Sequence, residues 1–189
     1  MIIRLFVWFF RRKGWKIEGK GIDPSLKKCL IIGAPHTSNW DFVYAMAALR
    51  LFGIKLNYLA KKELFQWPIK KLFINTGGIP VERSKNSRMV DSIIKKFNEL
   101  DSLVLAISPE GTRKRVEKIK TGFYHIALAT GVPIYLGYLD YEKRVAGFSE
   151  PFYPSGNREA DTAIIKDFYR NKKGRSPELF NLEAIKLED

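Results

Sequence analysis

The 189-residue chain contains one cysteine, Cys29, and two histidines, His36 and His125. A single thiol excludes an intramolecular disulfide framework and is compatible with a reducing compartment. Thiol and imidazole groups are too few for a structural zinc site, which usually takes four such ligands, so no metal is expected. Cys29 itself lies in the apolar run Cys29-Leu30-Ile31-Ile32-Gly33-Ala34. A thiol among such neighbours is a packing residue rather than a nucleophile. Long hydrophobic runs are scarce too. The stretch Met1 to Phe10 stops at Arg11-Arg12-Lys13, well short of the ~20 apolar residues that cross a bilayer. A secretory signal would carry its basic residues ahead of the apolar run, so that reading is excluded as well. Repeats, low-complexity tracts and domain linkers are absent, and the length suits one domain. Acidic residues are in deficit: 20 Asp and Glu against 33 Lys and Arg give a net charge of +13. The preferred partner is therefore anionic: a lipid surface, a phosphorylated substrate or an acidic carrier protein. Nucleic acid is disfavoured because its recognition motifs are missing.

What is present begins with the N-terminus, read as an amphipathic interfacial helix over residues 1–13. Phe6, Trp8, Phe9 and Phe10 would sit at the headgroup boundary and Arg11, Arg12 and Lys13 would meet anionic lipid, each cation adding on the order of 1 kcal/mol. A hydrophobic helix docked on the protein's own core is the other reading of the same residues. Residues 14–175 form the expected catalytic domain, and 176–189 a tail with little organisation. Within the domain, Trp15 to Lys20 alternates like an edge strand, and Cys29 to Ala34 is a buried strand. Phe42 to Leu51 is a helix stopped by Gly53, and Lys55 to Ala60 is the next strand. Short helical pieces around Pro68 lead to a short strand at Ile79 to Val81, and Asn86 to Leu100 is an amphipathic helix. Leu103 to Ile107 is a second buried strand, Thr121 to Thr130 a helix closing at Gly131, and Val132 to Leu139 a strand. Arg144 to Phe148 pairs with it, and a helix runs from Ala160 to Tyr169. Strands alternating with helices imply an α/β fold, a single domain with a mainly parallel sheet flanked by helices.

Three strand ends carry polar groups, and in such sheets ligands gather at the carboxyl ends of strands. After the first buried strand comes Pro35-His36-Thr37-Ser38-Asn39-Trp40-Asp41. Ser38 or Asn39 can cap the next helix. Asp41, in its first turn, can fold back onto one nitrogen of His36 and leave the other to act as a general base. The simpler reading leaves His36 packing and Asp41 at the positive end of the helix. After Gly77-Gly78, which permit a tight bend, Arg83 emerges, either as a solvated charge or with a guanidinium fork that holds a phosphate or carboxylate. The second buried strand delivers Ser108-Pro109-Glu110-Gly111-Thr112-Arg113. This is either a capped turn or a loop in which Glu110 accepts from a hydroxyl and Gly111 leaves room for a polar ligand. Lys114, Arg115, Lys118 and Lys120 follow as a basic loop, solvated or turned to phosphates. His125, on an apolar helix, is read as a packing residue.

Together these blocks resemble the glycerolipid acyltransferase family, the lysophosphatidic acid acyltransferase-like (PlsC-type) enzymes. His36 with Asp41 is similar to the family's H-x4-D block, and Gly78 to Arg83 to its arginine block. Ser108 to Arg113 is similar to its P-E-G-T-R block, and Val132-Pro133-Ile134 to its final strand. The resemblance implies a glycerol-3-phosphate acyltransferase-like fold and transfer of an acyl group from acyl-CoA or acyl-carrier protein to a hydroxyl of a lysophospholipid or related lipid. It implies His36 as general base oriented by Asp41, with Arg83, Glu110, Gly111, Thr112 and Arg113 binding substrate. It implies no cofactor beyond the thioester co-substrate, and a place on the cytoplasmic face of the membrane. Pro35 and the filler Thr37 to Trp40 depart from the family's commonest pattern, which bears on the acceptor. A non-catalytic anionic-membrane-binding protein and a thioester hydrolase using the same base are the rival readings.

Overall fold

Strand β2 (Lys28–Gly33) is buried on both faces, and everything else is arranged about it. Successive side chains of a strand point to opposite faces. Leu30 and Ile32 accordingly enter one apolar layer and Cys29 and Ile31 the other. The protein is described by a computed structural model, which covers residues 2–68, 70–81 and 86–188. In chain order its elements are α1 (Ile2–Arg12), β1 (Lys16–Glu18), β2, α2 (Trp40–Leu51), β3 (Asn57–Lys61), α3 (Lys70–Asn75) and β4 (Gly78–Val81). They continue with α4 (Asn86–Glu99), β5 (Leu103–Ile107), α5 (Gly122–Thr130), β6 (Ile134–Asp140), β7 (Val145–Phe148) and α6 (Arg158–Tyr169).

The seven strands form one sheet in the order β1-β7-β6-β2-β5-β3-β4. The chain is therefore a single α/β domain, and the sheet is mainly parallel as expected: β2 runs parallel to β5 and β6, and β3 to β5 and β4, whereas β6 and β7 pair antiparallel. Parallel strands need crossover helices, and those helices cover both faces. Ile93 and Phe97 of α4, Phe123 and Ile126 of α5, and Ile165 and Tyr169 of α6 pack on the Leu30 side. On the other, α2 packs through Tyr44, Ala47, Met46 and Leu49, and α1 joins it through Phe10. Pro80 lies in β4, the strand at the sheet edge, where a missing N–H costs no ladder bond on the open side. The bend before it requires Gly77, which has a φ of +90° and where a Cβ would collide with the Leu56 carbonyl oxygen.

Two expectations are corrected. Phe10, grouped with the membrane-facing residues, is only 1% exposed and packs against Trp15 and Tyr44 at ring distances of 5.6 and 6.2 Å. It lies one helical turn beyond Phe6, on the stripe that faces α2. Leu5 and Trp8, each 59% exposed, occupy the outer face. Helix α1 is thus docked on the core and also presents an apolar surface. The segment after residue 175 is likewise ordered. It makes 3-10 turns at Pro177–Leu179 and Leu182–Ala184, and it buries Ala184, Ile185 and Leu187 in the main core. Short 3-10 turns display neither the helical nor the strand period, so the pattern was invisible in sequence. Among the described residues, no helix is long and apolar enough to cross a membrane.

Candidate functional site

The loop that leaves β2 is held by two carboxylates from different parts of the chain. Asp41, buried in the first turn of α2, folds back as its position suggests. Its Oδ2 lies 3.0 Å from His36 Nδ1 and accepts the Thr37 and Ser38 backbone N–H groups, each at 2.9 Å. Its Oδ1 accepts the Tyr141 hydroxyl at 2.7 Å. Burial and the adjacent Asp41 charge both push the Tyr141 pKa up, so this phenol stays protonated as a donor. With Nδ1 turned to Asp41 and its side chain 30% exposed, His36 keeps its second nitrogen for an outside partner.

Glu110 reaches the same loop from the end of β5. Its Oε1 accepts the His36 backbone N–H at 3.0 Å and its Oε2 the Ser108 hydroxyl at 2.8 Å. Ile32, Ala34, Ile119, Phe123 and Tyr169 surround it, and this burial raises its pKa, an effect the Ser108 and His36 hydrogen bonds oppose. Ser108 to Gly111 is a turn closed by the Gly111 N–H on the Ser108 carbonyl at 3.1 Å. Gly111 has a φ of +65°, and a Cβ there would press on the Lys120 side chain. Thr112 Oγ1 accepts the Lys114 N–H within its own loop. Arg113 donates to the Asn39 side-chain oxygen. Asn39 therefore makes no side-chain cap, and Ser38 Oγ accepts the Trp40 N–H instead. His36, Asp41, Glu110 and Arg113 thus meet around one loop, whereas Gly111 and Thr112 serve the turn that carries Glu110. Arg83 lies outside the described residues. His125 stands on α5 against Tyr124, and burial pushes the Cys29 thiol up to about 12. Among the described residues, no group of three or more His, Cys, Asp and Glu could hold a metal ion.

Sequence reasoning missed Tyr141, which sits just past the predicted strand Val132 to Leu139 and 100 residues from Asp41. It also missed Thr37 as a structural post. Thr37 Oγ1 accepts the Ser176 N–H at 3.1 Å, and Gly174 approaches so closely that a Cβ there would lie 2.9 Å from the same oxygen. The only sequence signal for either was a polar or aromatic residue at a strand end.

These features define a parallel-sheet α/β protein with an imidazole-carboxylate pair at its strand ends. The acyltransferase family model matches residues 16–135, and the chain belongs to the acyltransferase family. A 1-acyl-sn-glycerol-3-phosphate acyltransferase of Escherichia coli is 30% identical over 64% of this chain and 51% of its own. One from Cocos nucifera is 35% identical over 40% of this chain and 27% of its own. The chain thus spans about half and about a quarter of the length of these relatives. The crystal structure of the 1-acyl-sn-glycerophosphate acyltransferase PlsC from Thermotoga maritima has the same fold. Its TM-score is 0.58 at 16% identity, over 92% of this chain and 82% of that one.

Proposed function

We infer that this chain transfers a fatty acyl group from an acyl thioester, acyl-CoA or acyl-carrier protein, to a hydroxyl of a lysophospholipid or related lipid. The observation that carries the reading is the His36-Asp41 pair: a part-exposed imidazole whose Nδ1 is fixed at 3.0 Å from a buried carboxylate. In the reaction, Nε2 of His36 takes the proton of the acceptor hydroxyl as its oxygen bonds to the thioester carbonyl carbon. The tetrahedral intermediate then collapses, the carbon–sulfur bond breaks, and the leaving thiolate recovers the proton from the imidazolium. Asp41 remains ionised throughout; it selects the Nδ1–H tautomer and stabilises the imidazolium. Glu110 acts through the His36 backbone, setting the height of the loop, while Arg113 and Arg83 supply charge to the acceptor side.

Family membership supports the reaction class, and the exposed Ile2, Leu5 and Trp8 of α1 support work at a lipid surface. Peripheral attachment through that face, with Arg11, Arg12 and Lys13 near anionic headgroups of the cytoplasmic leaflet, completes the reading. The test is thiol release from acyl-CoA and from acyl-carrier protein, with and without a panel of lysolipids, following the lipid product by mass. Acceptor-dependent release is expected. His36→Ala is expected to lower turnover by roughly 10²–10⁴-fold while leaving vesicle binding intact. Equal turnover in variant and wild type would remove His36 from the chemistry, and release without acceptor would make the chain a hydrolase.

A further inference from the structure

Beside the Asp41 carboxylate lies a cavity of about 690 Å³ whose lining contains four cations and no carboxylate. Arg12 and Lys13 come from the end of α1, Arg144 from the turn between β6 and β7, and Arg175 from the segment after α6. The inner wall is aromatic: Trp15 and Tyr44 stack at 4.5 Å, and Tyr141 stands edge-on to both. Among the described residues, none of the four cations forms an ion pair with a carboxylate. Glu142, the acid of the same turn, is taken by Lys173 at 2.7 Å. Like charges drawn together over an apolar wall repel, and the repulsion is relieved when an anion enters.

The cations are also held in place. Lys13 Nζ lies 5.6 Å from the centre of the Phe9 ring, and Arg175 Cζ lies 5.4 Å from that of Trp40. Arg144 donates to the Lys13 carbonyl at 3.3 Å, tying the end of α1 to the turn. Arg144 also has a φ of +54°, the one positive value of a non-glycine residue among the described residues. An arginine in that conformation costs free energy that glycine or asparagine would largely avoid. Its guanidinium, rather than the turn, accounts for the residue.

From these observations we propose that the cavity is a binding site for a phosphate ester, whose four cations all lie outside the blocks that resemble the acyltransferase motifs. Guanidinium forks suit phosphate oxygens bidentately. Arg12 is the last residue of α1 and Lys13 follows it, and the other face of that helix is apolar and exposed, so a phosphate could come from a lipid headgroup still in the bilayer. A soluble nucleotide phosphate has the same chemistry. The site shares Tyr141 with the Asp41 carboxylate, and Trp40 is the residue next to Asp41. Occupancy is therefore sensed one side chain from the imidazole pair.

The test measures binding without turnover, so failure of the acyl-transfer reading would leave it standing. The full chain is titrated with adenosine 3′,5′-bisphosphate in solution, and separately with phosphatidylcholine vesicles with and without phosphatidic acid. Wild type is expected to bind at least one phosphate probe, with a change in tryptophan emission from the cavity wall and weakening by added salt. The Arg144→Gln/Arg175→Gln double variant should lose about tenfold or more in affinity, and Lys95→Gln, on the distant exposed face of α4, should lose none. Loss confined to the bisphosphate assigns a soluble ligand; loss confined to phosphatidic acid vesicles assigns a headgroup. Single Arg175→Gln carries the test if the double variant does not fold. Wild-type failure to bind either probe, or undiminished binding by the folded variants, overturns the proposal.

Discussion

Asp41 is the most heavily bonded side chain of the site, with four donors on its two oxygens. Tyr141→Phe removes one of them without changing the ring packing. A hydrogen bond to a charged group contributes about 1.5–3 kcal/mol. If most of it is felt in the transition state, the rate of transfer should fall about tenfold or somewhat more, with KM unchanged. The loss acts by position: without the Tyr141 hydroxyl on Oδ1, the carboxylate is held less firmly against His36 Nδ1. Unchanged turnover in the folded variant would show that the hydroxyl does not orient Asp41. Glu110 makes a different prediction. Its folded pKa lies above the ordinary 4.5 because it is buried, so the folded chain binds more protons than the unfolded one above pH 4.5. Stability is therefore fullest below that pH and falls as pH rises through the folded value. Glu110→Gln can still accept the His36 N–H, so its melting temperature should be flatter with pH over this range. His36 with Asp41 was readable because the two residues are five apart on one local turn. The Glu110 bond to the His36 backbone and the Tyr141 bond to Asp41 span 74 and 100 residues, distances at which only the fold brings partners together.

At the level of elements, α1 separates two roles that its composition blends. Apolar residues occupy nearly its whole circumference, so the sequence identified the helix but not which ring faces inward. Phe10→Ala should cost about 3–5 kcal/mol by opening a cavity against Trp15 and Tyr44, measured by denaturant unfolding. Leu5→Glu with Trp8→Glu changes only outward side chains and should leave unfolding nearly unmoved while lowering retention on anionic vesicles. The strands were legible for a simpler reason. The central ones are buried on both faces and read as unbroken apolar runs, as Leu103 to Ile107 does, and glycine marks the end of α5. Gly131 adopts a φ of +68° and returns its N–H to the Ala127 carbonyl.

Across the whole molecule, the sheet order follows from the alternation of strand and helix, whereas the closing segment does not follow from any pattern. Ile185, 2% exposed, plugs the layer formed by α5 and α6. Ile185→Ala should cost about 2–5 kcal/mol in the same unfolding measurement, as a core residue does and a loose tail residue does not. The binding of the site loop also reaches the molecule as a whole. The backbone N–H groups of His36, Thr37 and Ser38 are all given to the Glu110 and Asp41 carboxylates, and that of Trp40 to Ser38 Oγ. In the proposed transfer, negative charge gathers on the former carbonyl oxygen, and preorganised donors at that point usually supply the largest single part of the rate. Of the loop amides from His36 to Asp41, that of Asn39 alone takes no partner among the described residues, so in the proposed transfer this loop can offer the oxyanion at most one amide, and the rest of the role falls to side chains of a protein that carries 13 positive charges in excess.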